Sequence, residues 1–248
     1  MRSFQTRPHL SIVIPVLNDA LALERLLRFL ATQSAAADEV EVLVADGGSQ
    51  DPSREIAAGL GARVISTRPG RGLQLNAGCA AAEGHWLWLL HADCLPSDEA
   101  VREMFAKAGV AGTSAAAQML RDSAVGWGRF NVCFDEDSVR MRLTAALMNG
   151  RSRLTAICTG DQGIFLHRQL LHRIGGIPEQ PLMEDVELCR RLRVLCRPDC
   201  SSSRVQTAAR RWQQAGWLKT VLTMWRYRLR YWLGVPADVL AREYYPGS

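Results

Sequence analysis

The chain has 248 residues, enough for one domain with a sizeable core. Hydrophobic residues make up 48% and charged residues 22%, which is typical of a globular protein and excludes a disordered chain. The net charge of +5 favours an anionic partner, whether a nucleotide, a nucleic acid or a membrane surface. The sequence offers neither the roughly 18 apolar residues of a membrane-spanning helix nor the apolar stretch of a signal peptide. A cytoplasmic protein is therefore expected.

Predicted strands and helices alternate in the first half of the chain. The apolar, β-branched run at 10–17 is typical of a buried strand, and leucines at helical spacing predict a helix over 20–33. A second helix should end near Leu60, and a third covers 72–84. The other predicted strands are 40–46, 62–67 and 85–93. Because strands that alternate with helices pair in parallel, the pattern predicts a doubly wound α/β sheet.

Acidic and amide side chains follow three of these strands. Asn18 and Asp19 come after the first strand, Asp46 ends the second, and Asp93 ends the fourth, close to His91. The carboxyl ends of parallel strands meet at one edge of a sheet, where ligands bind. Each carboxylate could instead cap the helix that follows it. The three together, with His91, favour a ligand site at this edge.

A basic loop, STRPGRG at 66–72, follows the third strand on the same edge. Its Arg68 and Arg71 are suited to hold a nucleotide, and a carboxylate such as Asp93 suits Mg²⁺ or Mn²⁺ shared with a diphosphate. The sequence lacks GxxxxGK[ST], and no GxGxxG follows a strand. This argues against an ATPase and against a dehydrogenase.

The second half of the chain is less regular. Residues 111–121 are typical of a strand or a loop, and Glu184, Asp185 and Glu187 fall in the first turn of a predicted helix, where they complement its dipole. The elements predicted here are a strand at 128–135, a helix at 138–149, a strand turning into a helix at 163–176, and a helix at 181–196.

Five motifs, in this order and spacing, resemble those of family 2 glycosyltransferases of the GT-A type. They are IVIPVLND, VADGGSQD, RGRGLQLNAG, HAD, and the block from GDQGIFLHRQLLHRIGGIP to MEDVELCRRLR. Asp19 stands where the family usually has Glu, and His91 replaces the first Asp of the D-x-D metal motif. The resemblance covers nearly the whole chain. It implies a mostly parallel sheet with helices on both faces and a C-terminal helical tail.

A closer resemblance is to a bacterial subgroup of small stand-alone members, through HAD, MNGRSRLT, GDQ, PLMEDVEL and ARRW. That subgroup is associated by gene context with radical-SAM and arsenosugar-type pathways. The resemblance implies a glycosyltransferase domain over 1–200, with a nucleotide-binding half at about 8–110 and an acceptor half at about 111–200. Residues 201–248 would form a basic, aromatic helical extension.

The family resemblance implies an inverting, metal-dependent transfer of a sugar from a UDP- or GDP-linked donor to a hydroxyl acceptor. Asp185 would be the general base, Asp93 would hold Mn²⁺ or Mg²⁺, and His91 would either bind the same metal or position the diphosphate. The expected nucleotide-sugar-binding residues are Pro15, Leu17, Asp19, Asp46, Arg71, Asn76 and Ala92. The expected acceptor-side residues are Asp161, Gln162, Glu184, Arg211 and Trp212.

Two neighbouring carboxylates compete for the role of base. The first turn of a helix favours the ionised form of a carboxyl group, so Asp185 is expected to be charged at neutral pH. Glu184 is the alternative, and the family motif favours Asp185.

Trp217, Val221, Trp225 and Leu229 recur every fourth residue in the tail and predict a helical stripe. Either this stripe packs on the domain and leaves a solvated basic face, or the helix lies on anionic lipid or shapes a lipid-like acceptor site. We therefore expect a small-molecule or lipid-like acceptor and peripheral contact with the inner face of the membrane.

Nucleic acid is not an expected partner, and the sequence does not predict an oligomeric state. Ala208 replaces the Gln of the Q-x-x-R-W motif, which argues against a polysaccharide synthase.

Two other functions compete with the transferase. A non-catalytic nucleotide-sugar-binding or membrane-surface module would explain the imperfect D-x-D motif. A sugar-1-phosphate nucleotidyltransferase would need a glycine-rich loop and a basic residue after its first strand, and PVLND supplies neither.

Overall fold

The computed structural model describes residues 8–33, 39–110, 125–210, 212 and 216–245. The strands are β1 (Leu10–Val16), β2 (Val40–Asp46), β3 (Arg63–Ser66), β4 (Trp86–Leu89), β5 (Cys94–Pro96), β6 (Trp127–Phe134), β7 (Ile164–His167) and β8 (Asp199–Thr207). The helices are α1 (Ala20–Thr32), α2 (Ser53–Gly59), α3 (Arg71–Ala81), α4 (Asp98–Ala108), α5 (Val139–Thr155), a 3₁₀-helix (Gly160–Gln162), α6 (Arg168–Arg173), α7 (Glu184–Leu195), α8 (Trp217–Trp232) and α9 (Ala237–Tyr244). The strand or loop predicted at 111–121 lies outside the described residues.

The described strands form one sheet in the order β3-β2-β1-β4-β7-β6-β8-β5. β1 pairs in parallel with β2 and β4, β2 with β3, and β6 with β8. The antiparallel pairs are β4 with β7, β6 with β7, and β5 with β8. The predicted mostly parallel α/β sheet is confirmed.

Strand β8 crosses the domain boundary that the sequence predicted at residue 200. It lies between β6 and β5 and runs to Thr207, so the sheet continues past that boundary. β8 was not predicted, because its residues, DCSSSRVQT, lack the apolar pattern of a core strand. It forms a strand because its neighbours in the sheet, β6 and β5, pair with it.

Alternating side chains of the sheet fill two hydrophobic clusters, one on each face. On β1, Ile12 and Ile14 join the cluster that α1, α2 and α4 cover, whereas Val13 joins the cluster under α3, α6 and α7. On β4, Trp88 belongs to the first cluster and Leu87 to the second. Because successive strand residues point to opposite faces, both faces are apolar and both need helices. The doubly wound arrangement follows from this.

The predicted helical extension at 201–248 begins with the end of strand β8 and continues as helices α8 and α9, and two residues of the predicted stripe do not pack on the domain. Trp225 is 68% exposed and Leu229 is 56% exposed. The helix α8 instead buries Thr220 and Tyr227, and Tyr227 packs with Met183 and with α9. A four-residue spacing drifts around a helix of 3.6 residues per turn, so the spacing alone did not decide which side faces the domain.

Gly128 of β6 lies where β7 and β8 approach closely. A Cβ atom added here would overlap the carbonyl oxygen of Asp199 and lie 2.5 Å from Cζ of Phe165. Gly128→Ala is therefore expected to lower the free energy of unfolding by about 1–3 kcal/mol, the usual cost of overpacking. Gly59→Ala is the matched control, because nothing lies within 4 Å of its added Cβ. Urea unfolding that gave the same stability for both variants would contradict this account.

Candidate functional site

A cleft of about 630 Å³ lies beyond the carboxyl ends of β1 and β4. These two strands are parallel neighbours, so the loops that follow them meet at one edge of the sheet. The predicted site residues in its wall are Pro15, Leu17, Asp19, Arg71, His91, Ala92, Asp93, Asp161, Glu184 and Trp212. Arg211 lies outside the described residues.

Two of the strand-end carboxylates do not cap helices. Asp19 precedes α1 but makes no side-chain capping bond, and the amide of Ala20 donates instead to Asp51 Oδ2 at 2.9 Å. Asp93 lies between β4 and β5, and no helix follows it directly. Helix capping therefore does not explain why Asp19 and Asp93 stand at this edge.

Asp46 is buried and lies outside the wall of the cleft. Its carboxylate accepts hydrogen bonds from the amides of Gly48 and Ser49, each at 3.1 Å. The Ser49 hydroxyl in turn accepts from the amide of Asn18 at 3.0 Å. Asp46 thus holds the loop after β2 against the loop after β1, and its contact with a nucleotide base stays a prediction.

Gln74 and Asn76, on the same helix α3, have different environments. Gln74, which was not among the predicted site residues, is buried in the cleft wall. Its Nε2 donates to the carbonyl oxygens of Val16, at 2.7 Å, and Ala45, at 2.9 Å. A long amide in a helix of small and apolar residues was the available signal. Asn76, predicted to bind the nucleotide sugar, instead donates to Glu179 at 2.5 Å and lies outside the cleft wall.

His91, Asp93 and Cys94 place one possible metal-binding atom each within 4.8 Å of one another. Burial, together with the charges of Asp161 and Asp93, raises the pKa of the Cys94 thiol well above its ordinary value. Its soft sulfur is a poor ligand for a hard cation. The remaining donors, an imidazole nitrogen and a carboxylate oxygen, suit Mn²⁺.

The segment Gly160–Gln162 lies against the His91 ring. The Asp161 carboxylate lies 3.2 Å from His91 Nδ1, the kind of contact that orients a metal-binding histidine. A Cβ atom on Gly160 would overlap the His91 ring, so only glycine leaves room for the imidazole. Gln162 is buried and donates to Asn149 at 3.2 Å. Asp161 and Gln162, both predicted on the acceptor side, thus contact His91 and α5 respectively.

The described wall of the cleft is strongly acidic. It contains four carboxylates and one arginine: Asp19, Asp93, Asp161, Glu184 and Arg71. Arg71 pairs with Glu184 at 3.2 Å, and Asp19 pairs with Arg210 at 2.9 Å. Burial raises the pKa of Asp93, as do Asp161 and Asp19, whereas His91 lowers it. This crowding of negative charge favours the binding of a cation.

Asp185, the predicted base, faces a second, small cavity of about 10 Å³, room for about one water molecule. His91, Gly160 and Glu184 also line this cavity, and Glu184 lines the large cleft as well. The Asp185 carboxylate accepts hydrogen bonds from the amides of Gly160, at 3.2 Å, and Val186, at 2.7 Å. Glu184 therefore lies between the large cleft and the predicted base.

The expected direction of the Asp185 pKa shift is wrong. Burial of the carboxylate and the adjacent charge of Glu184 raise the pKa of Asp185 to about 6, whereas Arg71 and the two amides lower it. Desolvation thus outweighs the helix N-terminus. The carboxylate is still mostly ionised at pH 7, now with a pKa close to the working pH of a general base.

Residues 11–172 match the family described as glycosyl transferase family 2. Glycosyltransferase AglE of Haloferax volcanii is 32% identical over 101 residues, which are 38% of this chain and 33% of that protein. Validoxylamine A glucosyltransferase of Streptomyces hygroscopicus subsp. jinggangensis is 39% identical over 77 residues, 25% of this chain and 18% of that protein. The matched part thus spans a third or less of these curated relatives.

Two solved structures share the fold. The mannosyltransferase PcManGT from Pyrobaculum calidifontis, in complex with GDP-Man and Mn²⁺, has a TM-score of 0.61 and 22% identity, with 90% of this chain and 61% of that chain covered. Glucosyl-3-phosphoglycerate synthase from Mycobacterium tuberculosis, in complex with Mn²⁺, UDP and glucosyl-3-phosphoglycerate, has a TM-score of 0.54 and 21% identity, covering 82% and 70%. The fold is thus that of the GT-A glycosyltransferases. Because the family match covers well over half of the 248 residues, the chain belongs to glycosyl transferase family 2.

Proposed function

We propose that the protein is an inverting, metal-dependent glycosyltransferase that moves a sugar from a nucleoside-diphosphate sugar to a hydroxyl acceptor. The observation that carries this proposal is an acidic cleft lined by His91, Asp93 and Glu184, together with the small cavity lined by His91, Glu184 and Asp185. The complexes of the two fold neighbours, one with GDP-Man and Mn²⁺ and one with UDP and Mn²⁺, support it.

The charge of the cleft favours a diphosphate that enters together with a divalent cation. The four carboxylates of the wall outnumber the two arginines that pair with them, Arg71 and Arg210, and this excess negative charge repels a diphosphate that enters alone. Asp93 and His91 would hold Mn²⁺ or Mg²⁺, which supplies positive charge to the departing diphosphate. Asp161 would keep the His91 ring in place. Arg71 would place further positive charge near the phosphates.

Asp185 would act as the general base. The acceptor oxygen forms a bond to the anomeric carbon as the bond from that carbon to the diphosphate oxygen breaks, and the acceptor proton passes to Asp185. This direct displacement inverts the anomeric centre and needs no covalent intermediate on the protein. The cavity beside Asp185 has room for about one hydroxyl group. The acceptor would reach it past Glu184, whose pairing with Arg71 is at the border of the two cavities.

The proposed donor is a UDP- or GDP-linked sugar, and the proposed acceptor is a small or lipid-like molecule. Membership of the small bacterial subgroup rests on the motifs HAD, MNGRSRLT, GDQ, PLMEDVEL and ARRW. We place the protein in the cytoplasm, in peripheral contact with the inner face of the membrane. Among helices of the described ranges, none combines the length and the apolar character needed to cross a bilayer.

One observation favours a non-catalytic nucleotide-sugar-binding module as the second candidate. His91 stands in the place of a carboxylate, so the metal would have one anionic protein ligand fewer. The retained Glu184–Asp185 pair favours the enzyme, because binding alone requires no base.

Titration calorimetry with UDP, GDP and their sugars, with and without Mn²⁺, tests the proposal. We expect one of the two nucleotides to bind tightly only with the metal, because the cleft is acidic. Release of free nucleoside diphosphate from the preferred donor, in the presence of hydroxyl acceptors, then separates the enzyme from the binding module. Nucleotide binding that Mn²⁺ leaves unchanged would contradict both the metal site and the mechanism.

A further inference from the structure

Helix α8 carries apolar side chains on the side that faces away from the domain. We call this surface the exposed stripe: Leu218, Leu222, Trp225, Leu229, Trp232 and Leu233. Its members recur at intervals of three and four residues, so they lie along one side of the helix. Large apolar side chains that stand together on a surface mark an interaction site more often than single ones do.

The opposite side of α8 is already occupied. Thr220 and Met224 lie in the wall of the cleft, and Tyr227 packs against Met183 and Leu240. These positions differ from the exposed stripe by about half a turn of the helix. Packing against the domain therefore does not account for the leucines and tryptophans of the stripe.

Basic residues flank the exposed stripe along one side. Lys219, Arg226 and Arg230 follow one another at helical spacing. Arg226 is exposed and lies 3.8 Å from Glu243, and Arg230 donates to the same carboxylate at 2.8 Å. Glu243 thus pairs with two of the three basic residues on this flank, and the whole chain carries a net charge of +5.

Helix α5 lies next to the start of α8, where the indole of Trp217 donates to the Thr144 hydroxyl at 2.9 Å. Leu143 and Leu147 of α5 are also exposed.

We propose that the exposed stripe docks on an anionic lipid bilayer, with α8 lying in the plane of the membrane interface. An apolar side flanked by lysine and arginine is the pattern of an interfacial helix, and tryptophan favours the headgroup region. An antiparallel pairing of the stripe with a second copy of the chain is disfavoured, because it would bring the basic flanks of the two copies side by side.

Docking in this orientation would hold the cleft beside the membrane. Thr220 and Met224 reach the cleft from the same helix, and a helix with its side chains is about 10–12 Å across. An acceptor hydroxyl attached to a lipid would then lie within reach of the cleft. This consequence for the acceptor rests on the proposed transferase function, whereas the docking itself does not.

Flotation of the full chain with lipid vesicles tests the docking. We expect binding to vesicles of phosphatidylcholine with phosphatidylglycerol, at least about tenfold stronger than binding to phosphatidylcholine alone. Lys219→Glu and Arg226→Glu should each weaken the binding about fivefold or more. The double variant Leu222→Glu/Trp225→Glu should abolish it.

Val194→Glu is the matched control, because Val194 is 81% exposed but lies near the end of α7. It should bind vesicles as the wild type does. Wild-type protein that failed to float, or that floated equally with both vesicle types, would overturn the proposal. So would a dimer, seen by analytical ultracentrifugation, that Leu222→Glu/Trp225→Glu dissociates. The flotation requires no turnover, so its failure is distinguishable from a failure of the transferase assignment.

Discussion

Asp185→Asn is expected to keep donor binding and to lower sugar transfer by about 100-fold or more, the usual contribution of a positioned base. Asparagine preserves the size of the side chain and can still accept a hydrogen bond from the amide of Gly160 or Val186. It cannot take the acceptor proton. Calorimetry for donor binding and release of nucleoside diphosphate for turnover measure the two effects separately.

Glu184→Gln is the matched comparison for this prediction. Glu184 lines both cavities and pairs with Arg71, so its loss should disturb positioning more than proton transfer. If Glu184→Gln removed turnover while Asp185→Asn did not, the base would be Glu184. If both variants turned over at the wild-type rate, the mechanism itself would be wrong.

The pH dependence of turnover gives a second readout for Asp185. Its pKa is raised to about 6 by burial and by Glu184, and a base must be ionised to act. Wild-type turnover should therefore fall as the pH drops through 6, and the residual turnover of Asp185→Asn should lack this step.

A carboxyl group with a raised pKa weakens folding once it is ionised, above its unfolded pKa of about 3.9. Asp185→Asn should accordingly unfold at pH 7 no more easily than the wild type, which excludes unfolding as the cause of lost turnover.

Asp93→Ala is expected to abolish the effect of Mn²⁺ on nucleotide binding. Asp93 is the only carboxylate in the described cluster of His91, Asp93 and Cys94, and the soft sulfur of Cys94 is a poor ligand for a hard cation. Loss of residues that merely orient a metal ligand costs about 10–100-fold in affinity, so loss of the ligand itself should cost at least as much. Titration of Mn²⁺ in the presence of UDP or GDP measures this affinity.

Asp137→Ala is the control for the metal prediction, because Asp137 is an exposed carboxylate that pairs with Arg142 outside the cleft. It should bind metal and nucleotide as the wild type does. Unchanged metal dependence in Asp93→Ala would place the metal elsewhere. His91→Ala should weaken metal binding less than Asp93→Ala does, because a neutral imidazole contributes no charge.

The sequence by itself determined the architecture and the edge at which the site lies. Apolar runs such as LSIVIPV alternate with amphipathic helices, and this alternation predicts parallel strands covered on both faces. Parallel strands end at one edge, so Asp19, His91 and Asp93 were expected to be neighbours before any contact was known. The basic loop after the third strand indicated Arg71, and the family motifs added Glu184 as a site residue; both lie in the same cleft.

The tertiary structure alone decided what each side chain does at that edge. Asp161 is 70 positions from His91 in the chain, and Gly160 is 25 positions from Asp185, so neither hydrogen bond is visible in a local pattern. Burial among such distant neighbours raised the pKa of Asp185, where the helix N-terminus alone predicted the opposite. The same holds for α8, because helical spacing reveals that a stripe exists but not which side meets the domain. The contacts of Thr220 and Tyr227 decided that, and they left Trp225 exposed.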